Sequence, residues 1–405
     1  MKRFVVNIIM ALSVLSYLGC AALPVGREST GAYNVSDISK GLPTEGLWRE
    51  NTALVDMDGD GYLDIVAPPP RKAEADQNRP FIFLQGKDGI WREGKYTFPK
   101  ASYGYGGVAA GDINADGYPD IVLAVHSGKI MILQNNKSGG FAEMAFTVPE
   151  KTFQSRAVEI ADINGDGWPD IVALSESSYG TAYKPQGLLI GINKGGKDWD
   201  IRMIEDSRGW FGDSFAVGDI AGAGKKDIAV ATLAVKEGKK SIWFGDGKGD
   251  FKSYQTDIAV NTMPMIARVG DLDGDGKDEV VFMRSTLGRG AFIEFSVLKW
   301  NGDGFRDLSA GLEKVRPIAF DLADIDGIGT KELVVLSEDG IHLFRYHHDG
   351  WTEIGQYPLS PDEAKGSRDL RVGKNKDGSF LIVYNLGDEN PSFHHGLRAY
   401  TLKVK

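Results

Sequence analysis

A short acidic pattern returns seven times along this chain, and few folds can accommodate such spacing. Asp56, Asp58, Asp60, Gly61 and Asp64 stand directly before Ile65-Val66. The same order recurs as Asp112, Asn114, Asp116, Gly117 and Asp120, then as Asp162, Asn164, Asp166, Gly167 and Asp170. A fourth full copy is Asp271, Asp273, Asp275, Gly276 and Glu279. Three eroded copies run from Asp219 to Asp227, from Asp324 to Glu332, and from Gly373 to Leu381. Their first positions are 56, 112, 162, 219, 271, 324 and 373, so seven units of about fifty residues follow one another. A fixed period of this length signals an array in which each unit buries its apolar faces against its neighbours.

Each unit reads as four short strands. In the second, Gly107–Ala110 enters the acidic loop, Asp120–Val125 leaves it, Lys129–Leu133 follows, and Phe141–Val148 comes after a Gly-rich turn. Runs of apolar and β-branched residues bounded by Gly, Asn and Asp are the mark of a hairpin-rich all-β chain. The turns explain why 52 of the 405 residues are glycine, well above the usual ~7%. An aromatic follows the third turn at Trp91, Phe141, Trp199, Phe251, Phe305 and Trp351, six times against seven loops. The missing seventh is accounted for if Tyr33–Lys40 supplies the outer strand of the last unit. The expected fold is therefore an all-β ring of seven four-stranded blades, a β-propeller closed by its N-terminal strand, which leaves no open sheet edge at the seam.

The acidic spacing suits a hard cation. Calcium takes about six to eight oxygens, which side chains at positions 1, 3, 5 and 9, a carbonyl at 7 and water can provide. Gly at position 6 permits the bend. An EF-hand would need an acid at position 12, where this chain has Ala67, Leu123, Ala173 and Phe282. The loops thus join strands. Their 14 carboxylates in four intact copies would repel one another without a cation.

These loops resemble the FG-GAP or VCBS repeats of integrin α-subunit heads and bacterial surface proteins, over roughly residues 33 to 405. The resemblance implies about four structural Ca²⁺. Its ligands would be Asp56, Asp58, Asp60, the Tyr62 carbonyl and Asp64; then Asp112, Asn114, Asp116, the Tyr118 carbonyl and Asp120. The third set would be Asp162, Asn164, Asp166, the Trp168 carbonyl and Asp170, and the last Asp271, Asp273, Asp275, the Lys277 carbonyl and Glu279. The fourth and seventh units read as Asx turns without metal. The sixth, with Ile328 at position 5, is intermediate. Four ions would bring the formal charge of the chain without its leader from −12 to about −4.

In resembling propellers partners dock on the face opposite such loops. The chain segments expected there carry Trp48, Arg49, Tyr105, Arg156, Phe211, Arg316 and Arg368, residue types enriched at binding hot spots. The alternative is that the aromatics pack between blades. The long second turns, 68–79, 176–186 and 386–395, are further recognition candidates. No nucleophile elbow, zinc-protease helix or phosphate loop occurs, so a binding module for protein or carbohydrate is expected. An envelope polysaccharide lyase or hydrolase on the same scaffold is the alternative. His347-His348 and His394-His395 fall at opposite ends of strands and read as turn residues.

Lys2 and Arg3 precede the apolar stretch 4–18, which is too short for a comfortable bilayer span, as in a secretory signal peptide. The ending Leu18-Gly19-Cys20 resembles that of bacterial lipoproteins, although Tyr17 and Leu18 depart from the usual residues. The division expected is a leader at 1–19, a linker at 20–32 and the propeller at 33–405. Cys20 would be lipidated, at the outer membrane or cell surface. The alternative is a cleaved leader and a periplasmic or secreted monomer. Cys20 is the sole cysteine, so no internal disulfide exists. A formal charge of −10, or −12 without Lys2 and Arg3, argues against nucleic acid and leaves a lipid anchor as the expected membrane contact.

Overall fold

The repeats fold one sheet at a time in the computed structural model. It describes residues 32–149, 153–176, 185–231, 240–255, 262–286, 293–347, 350–360 and 362–405. The leader, Cys20, His348 and most of the turn 176–186 lie outside these residues. Within them stand seven four-stranded antiparallel sheets and a single short 3-10 turn, Glu205–Ser207. In the second blade the strands are Gly106–Gly111, Asp120–Val125, Ile130–Asn135 and Phe141–Met144, paired in that order. The first strands of successive blades meet around the ring, and that of blade one also meets that of blade seven. The chain is a seven-bladed β-propeller.

Burial falls off radially, and the sequence of each strand follows it. Second strands such as Asp170–Ser175 and Glu332–Ser337 are buried throughout, so they read as continuous apolar runs. Alternate residues of one strand face opposite neighbours. Ile121 and Leu123 join the core shared with Val66 and Ile82 of blade one, while Val122 and Ala124 join Ile171 and Ala173 of blade three. Fourth strands are less buried, and Phe141–Met144 fully buries only its aromatic. First strands are rich in small residues because they converge. A Cβ on Gly107 would lie 2.1 Å from the carbonyl oxygen of Arg156 in the next blade.

The seventh blade is made from both ends of the described chain, as the aromatic count implied. Its order is Tyr33–Asp37, Gly396–Val404, Phe380–Leu386, Leu370–Lys374. Tyr33 pairs with Val404 and Asp37 with Tyr400. The seam to blade one is tied by Trp91, whose indole N–H donates to the carbonyl of Ile38 at 2.8 Å. Among the described residues no helix is long and apolar enough to cross a membrane.

Candidate functional site

Every acidic loop links the first strand of a blade to the second, so all seven gather at one end of the central channel. Position 1 builds the bend. Asp56 accepts the N–H groups of Gly59, Asp60 and Gly61 at 2.8, 3.1 and 2.9 Å. Asp162 repeats this with Gly165, Asp166 and Gly167, and Asp112 accepts from Asp116 and Gly117. The glycine at position 6 has a left-handed φ of 92° at Gly61, 87° at Gly117 and 83° at Gly276, a conformation a Cβ would strain. Position 5 accepts the N–H of position 7 in all four intact loops, at Tyr62, Tyr118, Trp168 and Lys277.

Position 9 has a task that spacing alone does not reveal. Asp64 is buried, and its two oxygens accept from Met57 at 2.9 Å and from Gln85 on the third strand at 2.8 Å. Asp120, Asp170 and Asp227 do the same with Ile113 and Asn135, Ile163 and Asn193, and Ala221 and Gly245. The carboxylate staples the loop to two strands even in blade four, where Ala221 and Ala223 replace two of the acidic donors. Burial pushes Asp64 up to about 7 and Asp120 up to about 6, against the pull of those N–H groups. A cation beside them would reverse that penalty.

Three sets of carboxylate oxygens lie within 4.8 Å of one another among the described residues: Asp56, Asp58 and Asp64; Asp271, Asp273 and Glu279; Asp324, Asp326 and Glu332. All are hard oxygen donors, so these groups could hold metal ions, in keeping with calcium. Blades two and three carry an amide, Asn114 or Asn164, at position 3. In blade six Ile328 at position 5 points outward and is 66% exposed. Blade seven replaces the loop by a tight turn in which Asn375 accepts the Leu63 N–H of blade one at 2.9 Å.

At the other end of the channel, where the first strands begin, lies a cavity of about 520 Å³. Arg49, Glu50, Glu159, Asp213, Arg268 and Arg368 are among its lining residues. Along its wall runs a charged belt across blades five, six and seven. Arg268 donates to Asp321 at 3.0 Å and to Asp369 at 2.8 Å, and Arg371 donates to the other oxygen of Asp369 at 2.9 Å. Burial pushes Glu159 up to about 7, although Arg371 and Arg268 oppose it. Glu50 is also raised, by burial and then by Asp213.

Of the residues expected at this face, only Arg49 and Arg368 line the cavity. Trp48 is buried edge-on against Phe81 and Phe83, 5.1 and 5.9 Å between ring centroids, and acts in packing. Arg156 pairs with buried Glu176 at 2.8 Å, Tyr105 stacks on His126, and Phe211 is half-buried. Arg316 is exposed and binds its own turn through the Glu313 carbonyl. Sequence reasoning missed the belt and Glu159, because its partners come from separate blades.

Comparison with protein families agrees with this architecture. A model described as FG-GAP-like repeat matches residues 56–123, 112–173 and 219–282, so the propeller carries FG-GAP-like repeats. Comparison with curated protein sequences gives no match. Among solved structures, BBS1N in complex with ARL6DN aligns at 13% identity and a TM-score of 0.54, covering 93% of this chain and 98% of that one. A Penicillium chrysogenum alpha-L-arabinanase complexed with arabinobiose aligns at 10% identity and 0.50, with 93% and 98% covered. The chain spans 14% of the length of a Photorhabdus luminescens Tc holotoxin pore chain, with 93% of its own length covered, at 14% identity and a TM-score of 0.46. At such identities the first two likenesses support the fold alone.

Proposed function

We propose that the chain is a calcium-stabilised, non-enzymatic binding module of the cell envelope that takes a protein or carbohydrate ligand in the mouth opposite the acidic loops. The observation that carries this reading is the 520 Å³ cavity, whose lining differs from blade to blade while the loops at the far end repeat. Guanidinium forks at Arg49 and Arg368 beside carboxylates offer directional hydrogen bonds to hydroxyl-rich or charged surfaces. Calcium held by the four intact loops would stabilise the ring by binding only the folded state. A signal peptide at 1–19 and lipid on Cys20 would retain this monomer at the outer membrane or cell surface, with a periplasmic or secreted form as the alternative.

A glycan array and a pull-down from envelope extract test the ligand, with Arg49→Ala/Arg368→Ala as the control expected to lose it. Equal capture by wild type and the double variant would overturn the assignment of the mouth. Calcium is tested by melting in chelator and on re-addition; an unchanged curve would remove it. A polysaccharide lyase or hydrolase is the second reading, favoured by the raised carboxyls of Glu159 and Glu50 in one cavity. Polysaccharide turnover abolished by Glu159→Gln in a folded protein would select it.

A further inference from the structure

Superposing the blades by strand register exposes a pairing that the acidic pattern conceals. The third-strand residue opposite the outer aromatic is Gln85, Asn135, Asn193, Gly245, Trp300 and Tyr346 in blades one to six. The residue just before it is Leu84, Gln134, Ile192, Phe244, Lys299 or Arg345. The two cations fall in the two blades whose position 9 is Glu rather than Asp, namely Glu279 and Glu332. Blades with Asp64, Asp120, Asp170 and Asp227 have an uncharged residue there.

The geometry gives this covariation a cause. In the Asp blades both oxygens at position 9 are used by backbone N–H groups. The longer Glu keeps one of these bonds, Glu279 with Leu272 and Glu332 with Ile325, each at 2.8 Å. Its other oxygen turns to the cation: Arg345 Nε donates to Glu332 at 2.9 Å, and Lys299 Nζ lies 3.5 Å from Glu279. The same Lys299 ammonium contacts Asp273 and lies 2.8 Å from Asp275, and Arg345 also donates to Asp326. Asp273 with Glu279, and Asp326 with Glu332, are two of the three carboxylates that converge in the acidic groups of blades five and six. The acidic side chains of the blade-one and blade-three loops have no Lys or Arg ion pair among the described residues; in blade two Asp116 alone has one, with the exposed turn residue Lys137 at 3.3 Å.

We propose that Lys299 and Arg345 are built-in counterions standing where calcium would, so that blades five and six are metal-independent while blades one to three hold the ions. An ammonium amid three carboxylates, or a guanidinium forking onto two, supplies charge and hydrogen bonds from within the chain. A divalent ion would have to displace it and leave a cation beside its own positive charge. Blade five, with its full set of acidic positions, is therefore a loop whose sequence reads as a calcium site and whose strand neighbour closes it.

The proposal rests on the calcium reading for blades one to three, and two kinds of variant keep the two ideas apart. Calcium bound per full-length chain is measured by equilibrium dialysis for wild type, Asp56→Asn, Asp273→Asn and Asp326→Asn. The first variant should lose one ion and the other two none. Loss of an ion in Asp273→Asn or Asp326→Asn would overturn the proposal. Lys299→Met should melt several degrees lower in chelator, recover on adding calcium, and bind one ion more than wild type. A Lys299→Met melting curve in chelator equal to that of wild type would overturn it as well. Should wild type bind no calcium, the metal reading of blades one to three fails and the Lys299→Met curve still decides the counterion. Should Lys299→Met not fold, the ion count of Asp273→Asn decides.

Discussion

The two ends of the central channel are built on opposite plans. The loop end is made by repetition: the same backbone N–H groups fold onto position 1, and the same buried carboxylate staples two strands, in blade after blade. The mouth is made by departures from repetition. Arg268, Asp321, Asp369 and Arg371 occur once each and join only because three different blades bring them together. Repetition secures the scaffold, and irregularity shapes what the scaffold presents.

Substitutions at the two ends should separate these plans. The largest effect is expected for Asp369→Ala, which strips two guanidiniums of a shared partner and should cost about 3–5 kcal/mol in urea unfolding. A cost under about 1 kcal/mol would show that the belt does not tie blades five to seven. At the loop end, Asp64→Ala leaves two buried N–H groups unpaired and should cost about 2–4 kcal/mol. Asp227→Ala in blade four removes the same staple from a loop whose donor set Ala221 and Ala223 have broken. Its cost should be alike with and without calcium, whereas that of Asp64→Ala should grow when calcium is present.

A smaller effect concerns pH. Glu159 faces Arg371, Arg268 and Asp321, and its carboxyl moves from 4.5 up to about 7 on folding through burial. Between those values the unfolded chain releases a proton that the folded chain keeps, so this group makes folding less favourable as pH rises through the window. Glu159→Gln should flatten that part of the stability profile, measured by denaturant titration from pH 4.5 to 7.5. An unaltered slope would place its carboxyl in the ordinary range. Smallest of all, Arg368→Ala removes an exposed pair with Asp388 and should change stability by less than about 0.5 kcal/mol, while weakening any ligand held at the mouth.

What the sequence disclosed follows the same division. Blade number, the glycine at position 6, the aromatic that opens each outer strand and the borrowed strand at Tyr33 are local signals, written within one unit or counted across units. Trp48 was ambiguous because an aromatic entering a first strand can face solvent or a neighbouring sheet, and only the position of Phe81 and Phe83 decides. Lys299 and Arg345 lie 20 and 13 residues beyond Glu279 and Glu332, so their meaning depends on hairpin register. The belt could not be read at all, since its members are spaced by blade-to-blade geometry rather than by any pattern along the chain.

The borrowed strand also fixes a direction. Gly396–Val404 runs from the mouth towards the acidic loops, and Tyr33 pairs with its far end, where the Lys405 N–H reaches the Ala32 carbonyl at 2.7 Å. The chain therefore enters the ring on the loop side. Were the protein tethered through Cys20, the tether would join the ring on the side of the acidic loops, opposite the mouth.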